Sequence, residues 1–263
     1  MKKTILITGS TDGIGLETAK MLATKGHRVL LHGRSREKLE AAAKAIDAET
    51  ESYLADLSRM ADVAALAEAV TAAHPTLDVL INNAGIFKAP QPVTPEGLDI
   101  RFVVNTIAPY ALTRRLLPSM KGDGRIINLS SAAQAPVNIQ ALYGKDRLSD
   151  MDAYAQSKLA LTMWSRVMAD GLADGPVVVA LNPGSLLASK MVKEGFGVAG
   201  NSLGIGVDIL CRAALSDEFA SASGKYFDND AGAFGEPHPD ASDPAKSQKV
   251  FEAIEEALAR LNG

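Results

Sequence analysis

The sequence predicts an α/β protein: a single doubly wound parallel sheet of about seven strands with helices on both faces. Three observations predict it. Short apolar runs alternate with helical patterns along the whole chain of 263 residues. A glycine-rich stretch, Thr8-Gly9-Ser10-Thr11-Asp12-Gly13-Ile14-Gly15, joins the first strand pattern to the first helix pattern. The segments that stand out chemically fall at strand ends or on the helices that follow them, where ligands of such sheets sit. Right-handed crossovers then place helices on both faces. No Pro/Gly/Ser-rich linker divides the chain, so residues 1–263 read as one domain.

The elements follow in order. Residues 4–8 read as a strand and 13–25 as a helix stopped at Gly26, a left-handed cap. Residues 28–32 are the second strand, after which Ser35 caps a helix rich in Ala, Lys and Glu to about Ile46. Residues 51–54 are a short strand, 59–73 an amphipathic helix and 77–81 a fourth strand that ends at Asn82-Asn83-Ala84-Gly85. Pro95 opens a long helical pattern to Leu117. Residues 124–129 form a strand, 151–170 a helix and 177–181 a strand ending at Asn182-Pro183-Gly184. A helix over 202–215, a short strand over 225–227 and a helix over 244–261 complete the pattern. Residues 228–243, rich in Gly, Pro and Asp, read as an extended and poorly ordered surface tail.

Composition bounds the function. The chain is 47% hydrophobic and 22% charged, with a net charge of −4 and no basic run, so nothing indicates a nucleic-acid partner. One cysteine, Cys211, excludes an internal disulfide, and the four scattered histidines lack metal-ligand spacing. The sequence enters a strand directly after Met1, shows no signal peptide and has no apolar run of transmembrane length. The expectation is a cytoplasmic protein without a metal or a membrane span.

The glycine-rich stretch offers backbone N–H groups and a helix dipole to an anion such as a dinucleotide pyrophosphate. Its spacing is not G-x-G-x-x-G, and an ordinary turn carrying glycines fits it equally. After the second strand come Gly33, Arg34 and Arg36, where an acid would select NAD; a guanidinium suits a 2′-phosphate and favours NADP(H) over NAD(H). The alternative is a pair of solvated charges. Asp56, followed by Leu57, either accepts from an adenine amine or caps the next helix. Asn83, Ala84 and Gly85 either line the cofactor crevice or satisfy a strand end. Tyr154 and Lys158 share a helix face, four residues apart. A nearby ammonium lowers a phenol from about 10 and would fit the pair for proton exchange with a carbonyl or hydroxyl. A structural tyrosine beside a surface lysine is the plainer reading of that spacing. Ser131, just past the fifth strand, brings a hydroxyl to the same crevice or serves its own loop.

Taken together and in order, Thr8-Gly9 with Gly13 and Gly15, Asn82 to Gly85, Asn105, Ser131, Tyr154 with Lys158, and Pro183-Gly184 resemble the short-chain dehydrogenase/reductase family. The matches extend from residue 4 to about 185. The resemblance implies a Rossmann-type fold and hydride transfer between a nicotinamide and a carbonyl/alcohol pair. It implies Tyr154 as acid/base, Ser131 as the residue orienting the substrate oxygen, Lys158 holding the nicotinamide ribose and tuning Tyr154, and Asn105 maintaining a water relay to Lys158. It places the turn from Thr8 to Gly15 (Gly9, Ser10, Thr11, Asp12, Gly13, Ile14, Gly15) on the pyrophosphate side and Asn83 on the adenosine ribose side. Ser131 rather than Ser130 matches the family position.

Two departures are informative. Pro109 lies four residues after Asn105 and has no N–H for its carbonyl, which leaves that carbonyl free for a water or simply kinks the helix. The gap from Ser131 to Tyr154, twenty-three residues, is long for the family and resembles the subgroup of retinol dehydrogenase-like and protochlorophyllide reductase-like enzymes. The segment 132–150, with Val137, Ile139, Leu142 and Tyr143, reads as one substrate wall. The segment 185–201, with Leu186, Leu187, Met191, Val192 and Phe196 and hinge glycines at Gly195, Gly197 and Gly200, reads as the other wall or a lid. Surface loops without substrate contact are the alternative. On the 151–170 helix, Leu159, Ala160, Met163 and Val167 form one apolar stripe. Ala153, Leu161, Trp164 and Met168 extend beyond it, to pack on a symmetry mate of a homodimer or homotetramer or to lie partly exposed.

The expectation is an NADP(H)-dependent oxidoreductase on a largely apolar carbonyl/alcohol substrate. Its rivals are a catalytically silent dinucleotide-binding regulator and an epimerase or dehydratase of the same superfamily. The complete Ser131, Tyr154 and Lys158 set argues against the first. The roughly eighty residues after Pro183, taken up by the lid, one helix, a short strand and a tail helix, argue against the second, whose members often carry a larger C-terminal substrate domain.

Overall fold

The computed structural model describes residues 1–172, 174–188 and 199–262. Its strands are β1 (Thr4–Ile7), β2 (Arg28–Gly33), β3 (Thr50–Leu54), β4 (Leu77–Asn82), β5 (Met120–Leu129), β6 (Val177–Asn182), β7 (Tyr226–Asp228) and β8 (Ala233–Gly235). They form one sheet in the order β3-β2-β1-β4-β5-β6-β7-β8. All neighbours are parallel except β7 and β8. The chain runs outward from β1 to β3, then restarts on the other side at β4. The crevice at the carboxyl ends of β1 and β4 is therefore the topological switch point.

The helices are α1 (Gly13–Thr24), α2 (Arg36–Lys44), α3 (Met60–Ala73), α4 (Ile100–Phe102), α5 (Ala108–Leu116), α6 (Ile139–Leu142), α7 (Asp150–Asp170), α8 (Leu203–Leu215), α9 (Pro239–Ser242) and α10 (Pro244–Asn262). Strands covered on both faces need continuous apolar runs, and β1 shows why. Leu6 points into the core beneath α3, α5 and α7, while Ile5 and Ile7 point to the opposite core beneath α1 and α8. Capping side chains set the helix starts. Asp12 accepts from Gly13 N–H, Ser35 from Lys38 N–H, Ser149 from Asp152 N–H and Ser202 from Gly204 N–H. Each cap is worth about 1 kcal/mol.

Six expectations change. The helix expected over 95–117 begins at Ile100, because Asp99 and not Pro95 supplies the cap, and Gly97 turns at φ +87°. Residues Val103–Ile107 are π-helical, with Ala108 N–H reaching Val103 O five residues back. Strand β5 starts at Met120, four residues early, across a register shift opposite Leu77 and Val79. The tail over 228–243 is ordered: β8 adds an antiparallel edge, and Phe234 packs on Phe219 and Phe227 with ring centroids 5.1 and 5.0 Å away. The segment 132–150 contains α6, whose Leu142 is fully buried; Val137, Ile139 and Tyr143 pack on the same core. Finally, the second stripe of α7 is neither exposed nor left for a symmetry mate. Ala153, Leu161, Trp164 and Met168 are buried within the chain, where α10 packs along α7. Tyr110 bridges the two through edge-on contacts with Trp164 at 5.5 Å and Phe251 at 5.4 Å.

Candidate active site

A cavity of about 430 Å³ opens at the switch point. One end is lined by Arg34, Lys38, Asp56 and Leu57, the middle by the glycine-rich turn and Asn83 to Gly85, the other end by Phe87, Tyr154, Lys158 and Pro183. Of the turn residues singled out in the sequence, Gly9, Thr11, Asp12, Gly13, Ile14 and Gly15 lie at the cavity wall. Ser10 is behind it: fully buried, its hydroxyl accepts from His32 N–H at 2.9 Å and its own N–H donates to His32 O. Gly184 adjoins Pro183 but does not line the cavity, and neither do Asn105 and Ser131.

The glycines have a local cause. A Cβ on Gly15 would stand 2.4 Å from Gly9 O and 2.5 Å from Asn83 Nδ2, and Gly9 turns at φ +65° with Ala84 Cα against it. Asn83 Nδ2 donates to the carbonyls of Thr8 and Gly9 at 2.9 and 3.0 Å, and Ala84 N–H donates to Thr8 Oγ1. The Asn82–Gly85 run therefore staples the turn, the plainer of its two readings, while its backbone still faces the cavity. Asn82 itself turns away, donating to Asn128 Oδ1 and Thr113 Oγ1. Asp12 caps α1 at the wall. Asp56 caps no helix; its Oδ1 accepts from Ser58 N–H and Oγ in a turn.

Among the lining residues that sequence reading missed, His32 and Lys38 stand out. His32 is buried at the floor, where Nδ1 accepts the Gly9 N–H and Nε2 donates to Ala55 O. Burial pulls this imidazole down to about 4. Lys38, one turn into α2, lines the cavity beside Arg34 where Arg36 does not. Its signal was the helix start at Ser35, which puts Lys38 close to the strand end.

At the opposite end, Lys158 Nζ donates to Leu129 O at 2.7 Å and lies 5.8 Å from the Tyr154 ring centroid. Burial lowers Lys158 to about 8. Burial also raises the Tyr154 phenol, opposed by a hydrogen bond with the Ser131 hydroxyl. The expected lowering of Tyr154 by its lysine is thus not what this environment produces: desolvation prevails. Ser130 is spent on α7, its hydroxyl paired with Thr162 Oγ1 at 2.7 Å, which leaves Ser131 as the serine at Tyr154. Phe87 meets Tyr154 edge-on at 5.4 Å. Asn105 is fully buried; Oδ1 accepts Ile86 N–H, and Nδ2 donates to Ile86 O and Ser157 Oγ. Gly85 sits between it and the lysine, since a Cβ there would be 3.4 Å from Lys158 Nζ and 3.5 Å from Asn105 Oδ1.

The donor set fits a dinucleotide: an elongated cavity, a helix N-terminus at its middle and exposed cations at one end. Of the expected substrate walls, the apolar side chains of 137–143 turn to the core. Leu186 is exposed in a left-handed conformation (φ 49°), and a backbone bridge joins Leu187 to Asn201. Met191, Val192, Gly195, Phe196 and Gly197 lie outside the described residues. Among the described residues, no cluster of His, Cys, Asp and Glu suits a metal, and no helix is long and apolar enough to cross a membrane.

The chain is similar to known proteins in sequence and in fold. The family described as short chain dehydrogenase matches residues 3–196. Human retinol dehydrogenase 13 is 32% identical over 251 residues, covering 86% of this chain and 76% of its own. A short chain dehydrogenase from Shigella flexneri, solved with NADP, superposes with a TM-score of 0.69 at 27% identity, over 87% of this chain and 97% of that one. The 3-ketoacyl-(acyl-carrier-protein) reductase of Brucella melitensis, solved with NADH, gives 0.70 at 27% identity, over 86% and 96%.

Proposed function

The chain belongs to the short-chain dehydrogenase family, and from that premise we propose that it reduces a largely apolar carbonyl compound with NADPH. It is an NAD(P)-dependent oxidoreductase acting on a CH–OH/C=O pair. One observation carries the finer reading: Tyr154, hydrogen-bonded to Ser131 and backed by Lys158, ends a cavity that begins at the glycine-rich turn. When bound, the nicotinamide dinucleotide supplies the hydride.

The chain's own residues do the rest. Ser131 and Tyr154 present two hydroxyls to the substrate oxygen. Burial keeps Tyr154 protonated, so it donates to that oxygen as negative charge develops. Lys158, still mainly charged at neutral pH, stabilises the phenolate left behind and is aimed by Leu129 O. Asn105 braces Ile86 and Ser157 around Lys158 and sustains the water relay to it. Arg34 and Lys38 bind the 2′-phosphate. Gly9, Thr11, Asp12, Gly13, Ile14 and Gly15 form the pyrophosphate cradle with Ser10 bracing it from behind, Asp56 and Leu57 the adenine end, and Asn83 to Gly85 with Pro183 the remaining wall, to which Gly184 is the chain neighbour. Ile86, Phe87 and Leu186 support an apolar substrate. A cytoplasmic location is part of this reading, and the free Cys211 fits a reducing compartment. The whole chain acts as one domain.

The test is Tyr154→Phe, assayed for NADPH oxidation across a panel of aldehydes and ketones and for NADPH binding by fluorescence. Turnover is lost and binding kept. A variant that still turns over removes Tyr154 as the acid.

A further inference from the structure

Arg101 is fully buried, with a side chain 2% exposed, and no step above uses it. Its guanidinium is a three-way joint. Nε and Nη2 fork onto the Asp99 carboxylate at 2.8 and 2.6 Å. Nη1 donates to the Phe87 carbonyl at 3.4 Å and to Asp150 Oδ1. Asp99 caps the helix that runs into the π-turn holding Asn105. Asp150 is the first residue of α7, one turn before Tyr154. Phe87 carries the ring that meets Tyr154 edge-on.

We propose that Arg101 is a positioning residue for Tyr154: it locks the first turn of α7 and the Phe87 backbone to one planar fork, and so fixes both flanks of the phenol. A buried charge of this kind is kept only with its partners in place. A guanidinium supplies five donors in a rigid plane, whereas an ammonium in the same place cannot span the three acceptors together. The proposal rests on the reading of Tyr154 as the acid, but its test does not.

The readout is tyrosinate absorbance of the whole protein in an alkaline titration, with Tyr154→Phe subtracted so that only Tyr154 remains. Arg101→Lys keeps the charge and loses the fork. Loosened flanks admit water to the phenol, and its ionisation moves about one unit or more toward the ordinary value near 10. Asp150→Asn does the same, and because the joint is geometric the shift persists in about 1 M salt, where through-space charge effects are screened. Asp150→Glu, which keeps a carboxylate at a half-exposed position, restores the parent titration. A Tyr154 titration unmoved in Arg101→Lys overturns the proposal. So does an Asp150→Asn shift that vanishes in salt, which would make the influence one of charge alone. Should Arg101→Lys not fold, the Asp150 pair decides by itself.

Discussion

His32 and Gly9 are joined through the ring: Nδ1 accepts the Gly9 N–H at 3.0 Å while Nε2 donates to Ala55 O at 3.2 Å. A neutral imidazole with its proton on Nε2 satisfies both bonds; a second proton on Nδ1 breaks the first. The cofactor turn is therefore pinned by a base that must stay unprotonated.

This sets a pH dependence. Burial holds His32 near 4 when folded, against 6.5 for the free group, so the unfolded chain takes up the proton first. Stability falls as pH drops from about 6.5 to about 4, by roughly 3 kcal/mol from this residue. Urea unfolding across that range, compared with His32→Leu, measures it. The variant has a lower plateau and a flatter curve; parallel curves would refute the assignment.

Gly15→Ala places a methyl against Gly9 O and Asn83 Nδ2, neither of which can yield without moving the turn. NADPH affinity should fall by at least about tenfold, with a lower melting temperature. Calorimetric titration giving a parent-like Kd would show that the turn has slack.

Arg34→Ala and Lys38→Ala should each weaken NADPH binding about tenfold, the worth of one charge-assisted bond, and leave NADH binding unchanged. Fluorescence titration with both nucleotides checks this. Equal losses for both nucleotides would move these cations off the 2′-phosphate.

Pro109→Ala restores an N–H beside the π-turn and lets the helix revert toward α register around Asn105. Turnover should drop about tenfold, as expected for a sub-ångström to ångström misplacement, with the NADPH Kd within error. Equal effects on both would mean that Pro109 merely shapes the fold.

Trp164 is fully buried between α7 and α10, yet its indole N–H has no partner among the described residues. Trp164→Ala should cost about 3–5 kcal/mol through the cavity it leaves. Trp164→Phe should cost only about 1 kcal/mol. Denaturant midpoints compare them; a phenylalanine variant as unstable as the alanine one would reveal a hidden bond.

What the sequence made legible was local. The turn from Thr8 to Gly15, the Tyr154–Lys158 pair and the strand alternation each declare themselves within a few residues, because backbone period and side-chain face are set at that range. What it concealed was made by distant chain. His32, one of four scattered histidines in the sequence, acquires its place only when Gly9 and Ala55 arrive on either side. No local pattern announces Arg101, because its partner Asp150 lies forty-nine residues away. The helix start was misplaced because Pro95 and Asp99 both carry start signals, and only the packing of Leu98 and Phe102 chooses between them. β8 was hidden by its turn-rich surroundings, and it exists because Phe234 has Phe219 and Phe227 to cover.

The cover of α10 over α7 also orders events in time. A ribosome delivers Tyr154 and Lys158 more than seventy residues before the helix that packs along the same α7. Until Pro244–Asn262 emerges, the stripe on α7 is covered only in part, by Tyr110 against Trp164. The nascent chain can assemble its nucleotide half early, but the helix bearing Tyr154 and Lys158 gains its full cover only after synthesis has passed α10.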